Sequence, residues 1–199
     1  MMKRLLATTL FLGLAASHAG EQPVCSLPKP DYQRDASDPD WLAQAVQFHG
    51  HLGPWAMAGL RAGMSARRAV GAEGYFDLEV TVEGPLVKPP QSCFLDGVQV
   101  STGATWGKRN VKWIEAEKIV VRIKNTRTGK LAEVRPRPAL IQLVASFQPR
   151  SQTVAAAEVQ GRDDHQSADP LPETVARQIA RLPEKEILDM TFPLGYRNR

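Results

Sequence analysis

Apolar residues recur every three or four positions in two early stretches of the chain, and this spacing predicts two helices. The first covers residues 41–48, where Asp38 or Asp40 would cap its start. The second begins at Pro54, which suits a first helical turn because its missing N–H costs little there, and it runs to about residue 70. Gly59 and Gly63 share a face of this helix, so we expect them to permit close packing against a neighbour.

Alternation of apolar and polar residues predicts strands after these helices. Residues 76–82 alternate as a half-buried strand should. A Val- and Ile-rich strand is expected over 118–123, followed by a turn that contains Gly129 and a partner strand over 131–135. With the helices, these strands predict an α+β fold, in which a single core domain has a small mixed or antiparallel sheet packed against helices.

Further helical segments are expected later in the chain. Ser92 can cap a short helix that begins at Cys93 and reaches about residue 100. Pro138 opens a helix over 140–147. Two short helices, over 172–182 and 183–190, would end the chain.

The start of the chain has the features of a secretory signal. Lys3 and Arg4 precede an apolar run of 12 residues, and small residues then flank a cleavage position after Ala19. The run is shorter than the roughly 18 residues that a membrane span needs. The segments expected along the chain are a signal peptide over 1–19, an extended linker over 20–40, the core over 41–147, a flexible polar segment over 148–170 and a helical tail over 171–199.

Charge then narrows the function classes. The signal carries two basic residues and no acidic one, so its removal lowers the formal charge from +4 to +2, with 23 basic against 21 acidic side chains. This near balance lacks the basic stripe that is typical of nucleic-acid-binding proteins. No second apolar stretch is long enough to cross a membrane. We therefore expect a periplasmic or secreted protein that binds no nucleic acid and has no membrane span.

The sequence contains two cysteines, Cys25 and Cys93. Export places them in an oxidising compartment, where a disulfide between them is one alternative. The other alternative is a reactive or metal-bound thiolate at Cys93, with Cys25 unpaired. The sequence leaves both alternatives open.

A histidine motif follows the first helix. His49 and His51 flank Gly50, whose conformational freedom lets the two imidazoles turn toward a common site. Imidazole is a common ligand of transition metals. The alternative is a pair of ordinary helix-terminal histidines, one bonded to carbonyl groups and one in water.

A second motif contains Cys93 and Asp96. On a helix these residues lie three positions apart and face the same way, with Gly97 beside them permitting close approach. The helix N-terminus would favour the thiolate of Cys93. Thiolate and imidazole together form a ligand set typical of zinc. The alternative is a small buried cysteine with Asp96 as a local hydrogen-bond acceptor.

The chain resembles the FmdE family, whose name comes from formylmethanofuran dehydrogenase, in three motifs that occur in the family's order: FHGHLGPWAMAGLRAG, CFLDGVQVSTGATWGKRN and IVVRIKNTRTGK. The resemblance runs from about Trp41 to Phe147, and LPEKEIL near the end of the chain is similar to a C-terminal pattern of that family. It implies an α+β core, often a homodimer, with a metal site formed by the histidine motif and the cysteine. By position it implicates His51 and Cys93 first, with His49 and Asp96 near them.

Two positions depart from the family's motifs. Gly53 stands where the first motif, HGHxCPG, commonly has a cysteine, and Ala104 stands where TGCTxGK has another. Cys93 would then be the only thiol at such a site. The resemblance implies an exported metal-binding protein, a metal carrier or accessory factor with zinc as the expected ion. A metal-dependent enzyme with an open site, and a disulfide-stapled binding module whose metal site has decayed, are the alternatives.

We predict that the mature protein begins at Gly20, because the charged start, the apolar run and the small residues occur in the order that signal peptidase requires. N-terminal sequencing of the protein recovered from the periplasm or medium of an expressing bacterium would test this. A retained Met1, or a protein that stays in the cytoplasm, would contradict it.

Overall fold

The computed structural model describes residues 27–146 and 170–193. The signal segment, Cys25 and the segment 148–169 lie outside these residues. The described part has six helices and a five-stranded mixed sheet, which confirms the α+β expectation. The helices are α1 Asp40–His49, α2 Pro54–Val70, α3 Cys93–Thr102, α4 Pro138–Ala145, α5 Pro170–Arg181 and α6 Glu184–Ile187. The strands are β1 Leu78–Glu83, β2 Val111–Ile114, β3 Val120–Asn125, β4 Leu131–Pro136 and β5 Leu188–Thr191.

The sheet has the strand order β2-β1-β3-β4-β5. β1 pairs in parallel with β2, and the other neighbouring strands are antiparallel. Its apolar side chains point to one face, against which α2 packs across β3 and β4. In the described part of the chain, no helix is long and apolar enough to cross a membrane.

The backbones of α2 and α3 are in direct contact. A Cβ atom added to Gly59 would lie 1.9 Å from the carbonyl oxygen of Phe94, and one added to Gly97 would lie 1.9 Å from that of Ala56. A Cβ at Gly63 would lie 2.0 Å from the Oγ of Ser101. No side chain can fit at these positions without moving a helix, so the expectation of close packing at Gly59 and Gly63 is confirmed.

Neither of the expected helix caps forms. The residue before α1 is Pro39, and no side chain caps that helix. Asp38 is instead buried in an ion pair, and Asp40 is exposed and bonds to Arg34. Ser92 has helical backbone angles of −62° and −20°, so its hydroxyl does not take the capping position.

The ends of several strands and helices also differ from the prediction. The first strand begins at Leu78 because Tyr75 and Phe76 lie in an exposed turn. The expected helix over 183–190 is wrong beyond Ile187, since Leu188–Thr191 pairs with β4 as an edge strand of the sheet. The sequence analysis also missed β2. Both missed strands are four residues long, and each is stabilised by its pairing with a distant strand.

Two arginines attach α5 to the rest of the molecule. The guanidinium of Arg61 in α2 donates to the carbonyl oxygens of Ile179, Ala180 and Leu182 at 2.6–2.7 Å, which neutralises the C-terminal end of α5. The guanidinium of Arg177 contacts Asp38, whose side chain is only 1% exposed. Burial alone would raise the pKa of Asp38, but hydrogen bonds from Arg177, the Asp35 backbone and Tyr32 outweigh it and hold the pKa below its usual value.

We predict that Asp38→Asn lowers the free energy of unfolding by about 3 kcal/mol, because Arg177 loses its buried partner. The folded-state pKa of Asp38 is depressed, so its contribution is present above the unfolded value of about 3.9 and is lost as the pH falls through the lower, folded value. Urea unfolding at neutral and acid pH would measure both effects.

The control is Asp40→Asn, which breaks the exposed Arg34–Asp40 pair and should cost less than about 1 kcal/mol. Equal losses in the two variants would show that burial of the Asp38 pair contributes nothing to stability.

Candidate metal centre

The connection between α1 and α2 holds the histidine motif in a fixed conformation. α1 ends at His49, and Gly50 follows with a φ of 94°, where its N–H donates to the carbonyl oxygen of Val46. The backbone N–H of Asp31 donates to the carbonyl oxygen of Gly50 at 2.7 Å, and Asp31 forms an isolated β-bridge with His51. The stretch before α1 therefore braces the turn from outside.

His49 is oriented by a carboxylate from α3. Its Nδ1 lies 2.8 Å from Oδ2 of Asp96, and its side chain is only 9% exposed, against 39% for that of Asp96. The hydrogen bond to Asp96, an interaction with Cys93 and the two negative charges raise the pKa of His49 to about 9, although burial acts in the opposite direction. The Asp96 bond favours the tautomer with the proton on Nδ1, which leaves the Nε2 lone pair of neutral His49 available.

The two imidazoles face a common space above Gly53. Their ring centroids are 4.6 Å apart. A Cβ atom on Gly53 would lie 2.9 Å from Nε2 of His51 and 3.5 Å from Nε2 of His49. The absence of a side chain at Gly53 therefore allows both Nε2 atoms to approach one point. Burial, followed by the neighbouring charge of His49, lowers the pKa of His51.

The Nε2 atom of His49 is buried and has no hydrogen-bond partner. Cys93 is close enough to raise the pKa of His49, but the two side chains do not meet the geometry of a hydrogen bond at Nε2. A buried polar atom left in this state costs on the order of 1–3 kcal/mol, unless a bound group satisfies it. It is the strongest structural indication of a ligand in the site.

A small cavity of about 10 Å³ adjoins these side chains. It has room for about one water-sized group. His49, His51, Gly53 and Asp96 line it, and the rest of the wall is apolar. The apolar lining includes Ala45, Val46, Leu52, Ala56, Met57, Leu60 and Val100.

The structure thus brings the two sequence motifs together, although they lie more than forty positions apart. His49, His51 and Asp96 line one cavity and Cys93 interacts with His49. Among residues 27–146 and 170–193, however, no group of three or more His, Cys, Asp or Glu side chains is already arranged to hold a metal ion. Cys93 forms no disulfide within the described residues, and its alternative partner Cys25 lies outside them.

Sequence reasoning grouped Asp96 with the metal ligands, and it had no way to assign the His49–Asp96 hydrogen bond. The placement of Gly53 beneath both imidazoles was missed as well. A glycine two positions after the histidine pair was the available signal, but the direction of the two rings depends on the packing of α1 against α3.

Comparison with known proteins agrees with this picture of two joined motifs. Residues 48–189 match a family model described as FmdE, Molybdenum formylmethanofuran dehydrogenase operon. A protein of Archaeoglobus fulgidus, described as a probable S-adenosyl-L-methionine-binding protein, is 29% identical over 89 residues. The alignment covers 45% of this chain and 24% of that protein, so the chain spans about a quarter of this relative's length.

We predict that Asp96→Asn lowers the pKa of His49 in the metal-free protein by at least about one unit, because the imidazolium loses its charged acceptor. The pKa of His49 is raised above the unfolded value of 6.5. Its contribution to stability is therefore fully present below about pH 6.5 and is lost as the pH rises through about 9. Titration of the imidazole signals by NMR would measure the shift.

Asp31→Asn is the matched control, since Asp31 acts on the charge of His51 and has no hydrogen bond to His49. An unchanged pKa for His49 in Asp96→Asn would show that the carboxylate does not hold the ring in solution.

Proposed function

Since the chain belongs to the FmdE family, which is linked to formylmethanofuran dehydrogenase, we propose that it is an exported protein that binds a divalent transition metal, with zinc as the first candidate. The role that fits best is a metal carrier or accessory factor. The pair of Nε2 atoms above Gly53, one of them buried and unpartnered, is the observation that carries this proposal.

The donor set has the chemistry of a zinc site. His49 and His51 would each supply Nε2, and the thiolate of Cys93 would be the third donor. We assign Asp96 the task of orienting His49, because its carboxylate oxygen already bonds Nδ1 and a carboxylate behind a metal-bound histidine increases its basicity. The residues fit the ion in type, and binding would draw the Cys93 side chain into the set, since no three-donor group exists beforehand in the described residues.

Three protein donors leave a fourth position for water or for a ligand of the receiving protein. An open position suits a carrier, which must release its ion, and it also suits an enzyme that activates water. The cavity above Gly53 admits about one water-sized group and favours transfer of the ion over chemistry on a large substrate. For the same reason we do not assign the ligand named for the Archaeoglobus protein to this site.

Metal analysis of the mature, untagged protein tests the proposal. We expect about one zinc per chain. Cys93→Ser and His51→Ala should each remove most of the metal, because each deletes a donor. Asp96→Asn should keep the ion but bind it about 10- to 100-fold more weakly, as loss of an orienting partner does. Cys25→Ser is the matched control and should leave the metal content unchanged.

Several outcomes would reject the proposal. A wild-type protein that takes up no zinc, cobalt or nickel when dialysed against each would end the metal hypothesis. If Cys25→Ser and Cys93→Ser instead lowered the melting temperature equally and neither changed the metal content, the disulfide-stapled module would replace it. Steady turnover by the zinc-loaded protein in a hydrolase screen would favour the enzyme over the carrier.

A further inference from the structure

The outer edge of β2 is an unpaired edge of the sheet. The N–H of Val80 donates to the carbonyl oxygen of Asn110, Gly84 N–H donates to that of Ile114, and Ala116 N–H donates to that of Gly84. The even-numbered residues from 110 to 116 therefore direct their backbone groups toward β1. By alternation, Val111, Trp113 and Glu115 direct theirs away from the sheet, and no described strand pairs with them.

The side chains along this edge are not those of a well-protected edge strand. Ile114 is 46% exposed, and Trp113 is only partly buried, with its Nε1 bonded to the carbonyl oxygen of Gly84. Edge strands usually carry proline, a bulge or inward-pointing charges that prevent pairing. Here the single exposed lysine, Lys112, lies beside an exposed isoleucine.

Charges are distributed in opposite senses at the two ends of the edge. Lys108, Arg109 and Lys112 lie before or within the strand, and the exposed Glu115 and Glu117 follow it. An antiparallel copy of the same segment would place the basic end of each strand beside the acidic end of the other. The charge pattern is thus complementary to itself under a two-fold axis.

We propose that β2 pairs antiparallel with β2 of a second copy of this chain, about a two-fold axis at Trp113. The two five-stranded sheets then form one continuous sheet, with the helices of both copies on the same face. Val111 and Glu115 of one copy exchange backbone hydrogen bonds with Glu115 and Val111 of the other, and Trp113 does so with its own counterpart.

Side-chain pairing selects this register. With Trp113 on the axis, Lys112 of one copy lies opposite Ile114 of the other, where its aliphatic stem covers the exposed isoleucine. Arg109 lies opposite Glu117 in the same register. A shift that puts Lys112 on the axis would bring two like charges face to face, which is destabilising. A shift by one residue would put inward side chains opposite outward ones.

The other edge of the sheet, β5, is less suited to such pairing. Phe192 and Pro193 follow it directly, and a proline has no N–H to donate to a neighbouring strand. The only acidic residue of β5, Asp189, is engaged with Arg137. The occupant that the observations favour is therefore a second copy at β2. This inference does not depend on the metal site, which uses none of these residues.

Sedimentation velocity of the full mature chain over a concentration series, with charge-reversal variants, tests the pairing. We expect a reversible dimer. Arg109→Glu and Glu117→Arg should each raise the dimer dissociation constant at least about tenfold, because each places like charges together at both ends of the interface. The double variant R109E/E117R should restore the constant to within about threefold of the wild-type value, since it rebuilds both pairs with the signs exchanged.

Lys130→Glu, an equal charge reversal at the exposed β3–β4 turn, is the control and should leave the dimer unchanged. All variants replace surface side chains, and circular dichroism would verify that they fold. A monomer at every concentration would overturn the proposal, as would a dimer that is indifferent to both single reversals. Rescue of Arg109→Glu by Glu115→Arg, but not by Glu117→Arg, would overturn the register. Zinc content should be the same throughout, so failure here would be distinct from failure of the metal proposal.

Discussion

The contact between the backbones of α2 and α3 is the constraint on which the rest of the molecule depends. Gly59 and Gly97 have no room for a Cβ atom, so the two helices cannot separate or slide without breaking that contact. The histidine turn lies immediately before α2, and Cys93 and Asp96 lie in the first turn of α3. The distance between the two motifs is therefore set by two glycines that touch neither of them directly.

Much of the fold could be predicted from local patterns. The ends of α2 follow from Pro54 and Gly71, and β3 and β4 follow from a long alternating hairpin. The failures have a common cause, which is that a distant partner outweighs the local preference. Asp38 would be a good helix cap by itself, but Arg177, which lies 139 positions away, bonds to it instead. Leu188–Thr191 continues a helical pattern but gains more by pairing with β4.

The candidate site divides in the same way. The residue types and their grouping could be predicted from the two motifs and from the family resemblance. The orientation of each ring could not, because the direction of His49 is set by a carboxylate on another helix and that of His51 by the empty space above Gly53. The C-terminal part of the chain also contributes to the region, since Arg177 of α5 bonds both Asp38 and the carbonyl oxygen of Gln33, in the stretch that braces the histidine turn.

The buried, unpartnered Nε2 of His49 has a consequence for how ligands of this protein can be found. The folded chain without a ligand carries the desolvation cost of that nitrogen, while in the unfolded chain water satisfies it. Any small species that coordinates or hydrogen-bonds the atom removes this cost from the folded state alone. Its binding is then linked to a higher melting temperature. A panel of metal salts and small acids can therefore be ranked by thermal shift, even while the reaction and the partner are unidentified.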